Sequence, residues 1–256
     1  MATQRSAKKT GSASSFAAGQ DSLTRRSRRY TTQGIVLTRT DYAEADRILG
    51  FLTNDHGKVR AIAKGVRKSQ SKLAGGIELF SVSDLTLIIG RGELNTLISS
   101  RLVRHYGNIV KNIERTNLAY ELLKIINKAT EDEPEPAYFK LLDQSLAAID
   151  DPALDINLTK LWFEMQLLKL AGHTPNLHTD SAGVKLAKSK TYSVNLEQMS
   201  FEPASRGRLK ASHIKFLRLG FAAAGPRVLQ RIDGADQLAA TCASIIQTML
   251  RTHVRI

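Results

Sequence analysis

The stretch from Gln33 to Lys72, QGIVLTRTDYAEADRILGFLTNDHGKVRAIAKGVRKSQSK, decides the fold of the N-terminal part of the chain. An acidic loop and a turn divide this stretch into three short apolar runs, which are Gly34–Leu37, Arg47–Leu52 and Lys58–Ala63. The turn, Asn54–Gly57, combines Asn and Asp with Gly, and these residues are typical of tight turns between strands. The pattern therefore predicts short antiparallel β-strands.

The third run continues into a strongly basic segment. Val59, Ala61 and Ala63 alternate with mostly cationic residues, and because alternate side chains of a strand point to opposite faces, one face is apolar and the other cationic. Between Arg60 and Lys72 the sequence has five Lys or Arg and no carboxylate. A charged strand edge that only prevents aggregation has no reason to exclude acidic residues. We therefore interpret the segment as a contact surface for a polyanion.

The composition limits the class of protein. A chain of 256 residues can form one large domain or two ordinary ones, and its 42% hydrophobic residues suffice for a core. No apolar run approaches the roughly 18 residues that cross a membrane, and the N-terminus lacks the apolar segment of a secretory signal. A single cysteine excludes an intrachain disulfide framework and a cysteine-based zinc site. We expect a cytoplasmic protein that does not contact the membrane.

The formal net charge of +13 favours a nucleic-acid partner, or less often an anionic membrane surface. Residues 1–29 carry seven Lys or Arg against one Asp, residues 30–107 carry eleven against seven, and the remaining 149 carry nineteen against sixteen. The net charges of these parts are thus +6, +4 and +3. Residues 1–29 are also of low complexity, so we expect a disordered basic tail, either simply solvated or acting as a phosphate-binding arm.

From residue 30 to residue 107 the apolar pattern has a period of two. Two further alternating runs, Ile77–Ile89 and Leu94–Tyr106, flank a predicted hairpin turn at Gly90–Gly92. Five strands in 78 residues, with turn residues between them, predict a small closed or nearly closed barrel. An SH3-like barrel is the main alternative.

Residues 108–256 change to the helical period of 3.6. Five apolar stripes share this spacing, and they lie at Leu118–Ile126, Phe139–Ile149, Leu158–Leu168, Ile214–Phe221 and Leu238–Met249. Residues 173–206 are polar and irregular apart from a possible hairpin at Thr191–Phe201. We predict an all-helical domain with an inserted irregular loop, and for the whole chain an α+β multidomain fold.

An acidic cluster lies between the first two predicted strands. Asp41, Glu44 and Asp46 could perform acid–base chemistry as paired carboxylates. Arg39 and Arg47 lie close to them in sequence, which favours a solvated loop of ion pairs instead. We therefore predict no catalytic residue.

Three other residue types invite a chemical interpretation. His173, His178 and Asp180 include potential metal ligands, but their spacing matches no strong metal-binding pattern. Cys242 lies on the apolar stripe of the last predicted helix, which favours a buried structural thiol. We expect neither a metal nor a cofactor.

Nucleic-acid contacts are predicted for the cations of the barrel and its loops. These residues are Arg39, Arg47, Lys58, Arg60, Lys64, Arg67, Lys68, Lys72 and Arg91. Tyr42 and Phe51 are the aromatic residues that could stack on bases, although Phe51 alternates with Leu49 and fits a core position better.

Several of these segments resemble the DNA repair protein RecO family. They are GIVL at 34–37, DYAEADRILGFLT at 41–53, GKVRAIAKGVRKSQSKL at 57–73, LIIGRGELNTLISS at 87–100 and KLWFEMQLLKLAGHTPNL at 160–177. The resemblance covers Thr32 to Leu177 well and the remainder loosely. It is a diffuse pattern whose length makes it specific.

The resemblance implies an N-terminal OB-fold barrel followed by a helical domain. It also implies a bacterial, nucleoid-associated protein that binds single- and double-stranded DNA and anneals complementary strands. Its implied partners are RecR and the C-terminal tail of single-stranded-DNA-binding protein, with which it would help to load the recombinase. An RNA-binding or ribosome-associated OB-fold protein is the alternative function that the sequence leaves open.

The sequence departs from the family in one place. Many relatives carry two CxxC pairs that hold a zinc ion after the GHTPNL-like segment. Here the first pair would fall near Asp180 and Gly183, and no second pair exists between Tyr192 and Arg206. Because such a closed site needs thiolates, we expect residues 173–206 to be held by packing and not by zinc.

Overall fold

The computed structural model describes residues 28–90 and 92–256. The predicted contact of Arg91 with nucleic acid, and most of the predicted tail, lie outside the described residues.

The start of the first strand corrects the boundary of the tail. Arg29 pairs with Ile88 in the sheet, and the Arg28 carbonyl accepts a hydrogen bond of 2.8 Å from the Ile89 amide. The low-complexity tail predicted at residues 1–29 includes these two arginines, but their backbone belongs to the barrel.

The N-terminal domain is a closed barrel. Its strands are β1 (Arg29–Tyr42), β2 (Asp46–Thr53), β3 (Lys58–Ala63), β4 (Ser81–Ile88) and β5 (Leu94–His105). They follow the order β1-β2-β3-β5-β4, in which only the β3–β5 pair is parallel. The five-stranded barrel of this order is an OB-fold, which confirms the predicted fold and rules out the SH3-like alternative.

Alternation along β2 and β3 builds the interior of the barrel. Leu49 and Phe51 on β2 face inward together with Val59 and Ala61 on β3, and all four are buried. Arg60 lies between the last two and is exposed. The period of two read from the sequence is therefore confirmed, and Phe51 is a core residue that cannot stack on a base.

The turn between β2 and β3 also fixes the barrel against the second domain. Gly57 adopts a φ of +64°, and a Cβ added to it would lie 2.2 Å from the carbonyl oxygen of Asp132. Only glycine tolerates both the left-handed backbone and this close approach. The tight turn predicted at Asn54–Gly57 is thus also an interdomain contact.

The C-terminal domain is mainly helical. Its α-helices are α1 (Ile113–Ala129), α2 (Pro136–Asp150), α3 (Ile156–Leu170), α4 (Ala211–Ala222), α5 (Arg227–Gln230) and α6 (Ala235–His253). A hairpin of β6 (Tyr192–Asn195) and β7 (Ser200–Pro203) separates α3 from α4, and short 3-10 turns lie at Ala74–Gly76 and Ile109–Lys111. Among the described residues, every helix is too short or too polar to span a membrane.

Local sequence signals explain where the helices begin. The side chain of Asn112 accepts a hydrogen bond of 3.0 Å from the Arg115 amide at the start of α1. Asp155 accepts one of 2.8 Å from the Leu158 amide at the start of α3. Both residues satisfy an amide that the helix itself leaves unpaired. Pro136 occupies the first position of α2, where its missing N–H has no cost.

One continuous apolar core joins the barrel to the helices. Ile35, Leu52 and Phe80 of the barrel belong to the same buried cluster as Trp162 of α3. The ring of Phe80 also packs edge-on against Tyr120 of α1, with centroids 5.0 Å apart. The barrel therefore has a fixed position on the helical domain.

Aromatic packing holds much of the inserted loop, residues 173–206. Tyr192 lies on β6 and Phe201 on β7, the two paired strands of the hairpin, and their side chains are 1% and 0% exposed. Asp180 adds a turn, because one carboxylate oxygen accepts hydrogen bonds from the amides of Ala182 and Val184 at 3.1 and 2.8 Å. The predicted hairpin at Thr191–Phe201 is confirmed.

Candidate nucleic-acid interface

The segment from Lys64 to Lys72, which we name the basic loop, is a folded element. Its backbone makes two successive turns. The Lys68 amide donates a hydrogen bond of 3.1 Å to the Gly65 carbonyl, and the Ser71 amide donates one of 3.0 Å to the Lys68 carbonyl. Val66 lies between the cations, is 3% exposed and packs into the barrel core. The loop is thus anchored to the barrel by an apolar residue while its charged side chains remain outside.

Four cations of this region are exposed and carry no compensating charge. They are Arg60 on β3 and three lysines of the basic loop, Lys64, Lys68 and Lys72. Within residues 28–90 and 92–256, no carboxylate forms a salt bridge with any of the four. Cations in this state can pair with phosphates without first giving up an internal partner.

Arg47 and Arg67 are held differently, because both contact Asp41. The Arg47 Nε donates a hydrogen bond of 2.7 Å to one carboxylate oxygen of Asp41, and the Arg67 Nε lies 3.7 Å from the other. The hydrogen bond from Arg47, together with the positive charge of Arg67, lowers the pKa of the Asp41 carboxyl. Asp41 is therefore a charged bridge between two arginines, which does not suit a proton-transfer group.

Two further cations predicted to bind nucleic acid have other neighbours. The sequence predicted an ion pair between Arg39 and the acidic cluster. In the structure Arg39 forms its ion pair with Glu78 instead, at 3.9 Å. Lys58 points toward the helical domain, where its Nζ donates a hydrogen bond of 3.0 Å to the Asn127 carbonyl near the end of α1. The structure brings Arg47 and the basic loop together at the hairpin between β1 and β2, whereas Arg60 pairs with Gly50 in the middle of β2 and Lys58 supports the interdomain contact.

The end of the hairpin between β1 and β2, Asp41–Asp46, which we name the acidic hairpin, is in direct contact with the basic loop. Sequence reasoning missed this contact. One Asp46 carboxylate oxygen accepts a hydrogen bond of 2.7 Å from the Gly65 amide, and the Ala45 carbonyl accepts one of 2.9 Å from the Arg67 amide. The signal was available in the strand register: the pairing of Arg47 with Ala63 places Asp46 beside the residues that follow β3. Counting back from the Asn54–Gly57 turn would have shown it.

An exposed aromatic residue lies at the same end of the barrel. Tyr42 is the last residue of β1, pairs with Asp46 across the hairpin and is 52% exposed. Exposed aromatic side chains beside cations are the usual platform for unpaired bases. Of Tyr42 and Phe51, only Tyr42 is exposed enough to stack on a base.

His173 and Asp180 of the inserted loop have different partners in the structure. The His173 ring stacks on His253 with centroids 4.8 Å apart, while Asp180 binds backbone amides. In the described part of the chain, no three His, Cys, Asp or Glu side chains come together as ligands. Cys242 is fully buried, and burial raises the pKa of its thiol to about 12, which confirms its structural position.

The helical domain carries a separate groove of about 430 Å³ between the inserted loop and α4. Its floor includes Leu186 and Ile214, and its rim includes Lys188, Lys215 and Arg218. We refer to it as the cationic groove. An apolar floor with a cationic rim suits an acidic peptide segment.

Comparison with known proteins identifies the family. The family model for the N-terminal part of recombination protein O matches residues 27–106, and the model for its C-terminal part matches residues 110–256.

Curated proteins named DNA repair protein RecO are similar to this chain. The protein of Dehalococcoides mccartyi is 34% identical over 149 residues, or 58% of each chain. That of Roseiflexus sp. is 35% identical over 158 residues, or 61% of this chain and 55% of the relative. That of Bifidobacterium longum subsp. infantis is 37% identical over 153 residues, or 59% and 64%. The matched region is thus less than two thirds of each relative, whereas the two family models together span the described domains. By these matches and by its fold, the chain belongs to the RecO family.

Proposed function

We propose that this protein is a DNA-binding recombination mediator in DNA repair, which acts without catalytic turnover. The basic loop and Arg60 are its principal contact with DNA. The observation that carries the proposal is the group of four exposed cations, free of ion pairs in the described chain, on a folded loop of an OB barrel. Membership of a family whose curated members are named DNA repair proteins supports it.

The cations bind the phosphate backbone, and the release of counterions from DNA supplies much of the affinity. Phosphate contacts carry no sequence information, so the binding has little sequence preference. Tyr42 adds a stacking surface that only an unpaired base can use, because the bases of a duplex are already stacked. Both single- and double-stranded DNA bind, and single strands gain the additional contact.

Annealing follows from the same chemistry. Two complementary strands repel each other through their phosphates, and a cationic surface that neutralises part of each strand reduces that repulsion. No proton transfer or bond cleavage is needed. Consistent with this, Asp41 and Asp46 of the acidic hairpin are engaged in contacts with Arg47, Arg67 and the Gly65 amide.

We assign the acidic C-terminal tail of single-stranded-DNA-binding protein to the cationic groove. Lys188 and Lys215 are exposed on its rim and would meet the carboxylates of the tail, while Leu186 and Ile214 form the apolar floor between them. Replacement of Lys188 and Lys215 by Ala should weaken binding of a fluorescent tail peptide but leave DNA binding unchanged. RecR is a further proposed partner on the ground of family membership, and we assign it no surface.

The experiment that tests the proposal is a set of binding titrations at several salt concentrations with single-stranded DNA, duplex DNA and folded RNA of equal length. Binding to single-stranded DNA should be tightest, and annealing of complementary oligonucleotides should occur under the same conditions. The alternative, an RNA-binding or ribosome-associated OB-fold protein, predicts tighter binding to folded RNA. That order of affinities would overturn the proposed function.

A further inference from the structure

The acidic hairpin is attached to the basic loop at two consecutive points. The Asp46 carboxylate accepts a hydrogen bond of 2.7 Å from the Gly65 amide. Two residues further along the loop, the Arg67 amide donates a hydrogen bond of 2.9 Å to the Ala45 carbonyl. Val66, between these points, is buried in the barrel. Three successive residues of the loop are therefore fixed, each by a different contact.

The backbone geometry at Gly65 shows why its hydrogen bond to Asp46 sets the orientation of the basic loop. Gly65 has a φ of +65°, so the chain leaves the direction of β3 at this residue and begins the first turn of the loop. A turn of this kind is not continued by strand hydrogen bonds. Its amide needs another acceptor, and the Asp46 carboxylate provides it. The orientation of the loop thus depends on a side chain from a different strand.

Asp46 differs in this respect from Glu44, its neighbour in the same hairpin. Glu44 is exposed, and in the described part of the chain it takes part in no side-chain hydrogen bond or salt bridge. Asp46 is partly buried and accepts a backbone hydrogen bond. Two carboxylates of equal charge in one hairpin thus have different structural roles.

We propose that Asp46 is a positioning residue for nucleic-acid binding: it orders the first turn of the basic loop so that the loop cations meet phosphates together. This inference rests on the proposed function, because it assigns the DNA contact to that loop. It runs against simple electrostatics, in which any carboxylate beside a phosphate-binding surface weakens binding, so that its removal should tighten binding.

The test uses three variants of the full chain that each remove one negative charge: Glu44→Ala, Asp46→Asn and Asp46→Ala. Glu44→Ala should bind single-stranded DNA as tightly as the parent or slightly more tightly. Asp46→Asn keeps an oxygen acceptor for the Gly65 amide and should behave more like Glu44→Ala. Asp46→Ala has no acceptor, so it should bind single-stranded DNA about tenfold more weakly. Its salt slope, which is the slope of the logarithm of the binding constant against the logarithm of the salt concentration, should be smaller in magnitude by about 0.7 to 1.4, the value of one or two phosphate contacts.

Hydrogen exchange of the Gly65 and Arg67 amides in DNA-free protein provides the second measurement. In Asp46→Ala these amides should exchange at least about tenfold faster than in the parent, while the core strands keep their protection. The protection of the core strands also shows that the variant is folded.

The two measurements separate this inference from the proposed function. If Asp46→Ala binds as tightly as Glu44→Ala and keeps the parent's amide protection, the positioning role is wrong. If the Gly65 amide is deprotected in Asp46→Ala but DNA binding is unchanged, Asp46 orders the loop and the loop is not the DNA site. Weaker binding by both Asp46→Ala and Asp46→Asn, with normal amide protection, would also overturn the inference, since the charge and not the hydrogen bond would then matter.

Discussion

The basic loop of the barrel and the inserted loop of the helical domain are both long and polar in sequence, but the protein holds them in opposite ways. The basic loop has one buried anchor within Lys64–Lys72, Val66, and otherwise depends on polar contacts with the acidic hairpin. The inserted loop has fully buried aromatic residues, Tyr192 and Phe201, that belong to the helical core. The basic loop thus exposes its charged side chains to solvent, whereas the inserted loop contributes buried side chains to the core.

This difference separates stability from binding. Large buried side chains contribute several kcal/mol each, whereas exposed cations contribute little to folding. Changes in the inserted loop should therefore alter the free energy of unfolding, and changes in the basic loop should alter DNA affinity.

The largest effect on stability is expected for Phe201→Ala. The side chain is fully buried in β7, so its loss should reduce the free energy of unfolding by about 3 to 5 kcal/mol. Urea unfolding followed by circular dichroism measures it. Val184→Ala is the control, because Val184 lies in the same loop but is 55% exposed, and it should change stability by less than about 0.5 kcal/mol. Equal costs for the two variants would mean that packing does not hold this loop.

The helical domain buries a carboxyl group between its helices. Glu164 of α3 is 3% exposed, and burial raises the pKa of its carboxyl from 4.5 to about 7, against the opposing charge of Lys160. Glu121 and Arg251 also act on this pKa from α1 and α6, and Gln247 donates a hydrogen bond of 3.4 Å to one carboxylate oxygen.

Because the folded protein holds this proton more tightly than the unfolded chain, the parent should lose stability as the pH rises through the interval between the two pKa values. Glu164→Gln carries no charge and should escape that loss. At pH 8 it should be more stable than the parent by about 2 to 3 kcal/mol, and the difference should nearly vanish at pH 4.5. Urea unfolding at both pH values measures this. A stability difference that does not depend on pH would contradict the burial of a titrating carboxyl.

A smaller effect, on binding alone, is expected for Tyr42→Ala. Loss of a stacking side chain costs about 1 to 3 kcal/mol per base, so affinity for single-stranded DNA should fall while affinity for duplex DNA changes little. Tyr42→Phe keeps the ring and should bind as the parent does. Fluorescence anisotropy with matched oligonucleotides measures both. An equal loss with single strands and duplex would show that Tyr42 does not stack on unpaired bases.

The order of the elements was predictable because each carries a local pattern. Alternation around Leu49 and Val59 predicted the barrel strands, and the 3.6-residue spacing from Leu118 onward predicted the long helices. The exception is α5, Arg227–Gln230, whose four residues are too few to show a period.

The partners of individual charges were less predictable, since they depend on strand register and domain packing. The sequence placed Arg39 with the acidic cluster, but its nearest carboxylate is that of Glu78, 39 positions away. It placed Lys58 among the nucleic-acid contacts, but the amine contacts a carbonyl of the second domain, which no local pattern encodes. The exposed cations of the basic loop were easier to recognise because the absence of nearby acidic residues is itself a local property.

The most direct test of the central claim compares two variants with the same change in charge. The loop variant replaces by Ala the exposed cations Arg60, Lys64, Lys68 and Lys72, and the control variant replaces by Ala the exposed helical-domain cations Lys140, Lys185, Lys190 and Arg208. Affinity for single-stranded DNA is measured at several salt concentrations. The loop variant should lose about 2 to 3 from the salt slope, at about 0.7 for each lost phosphate contact, and the control variant should keep the parent's slope. If both variants lose the same slope, binding follows net charge alone and the basic loop is not the DNA site.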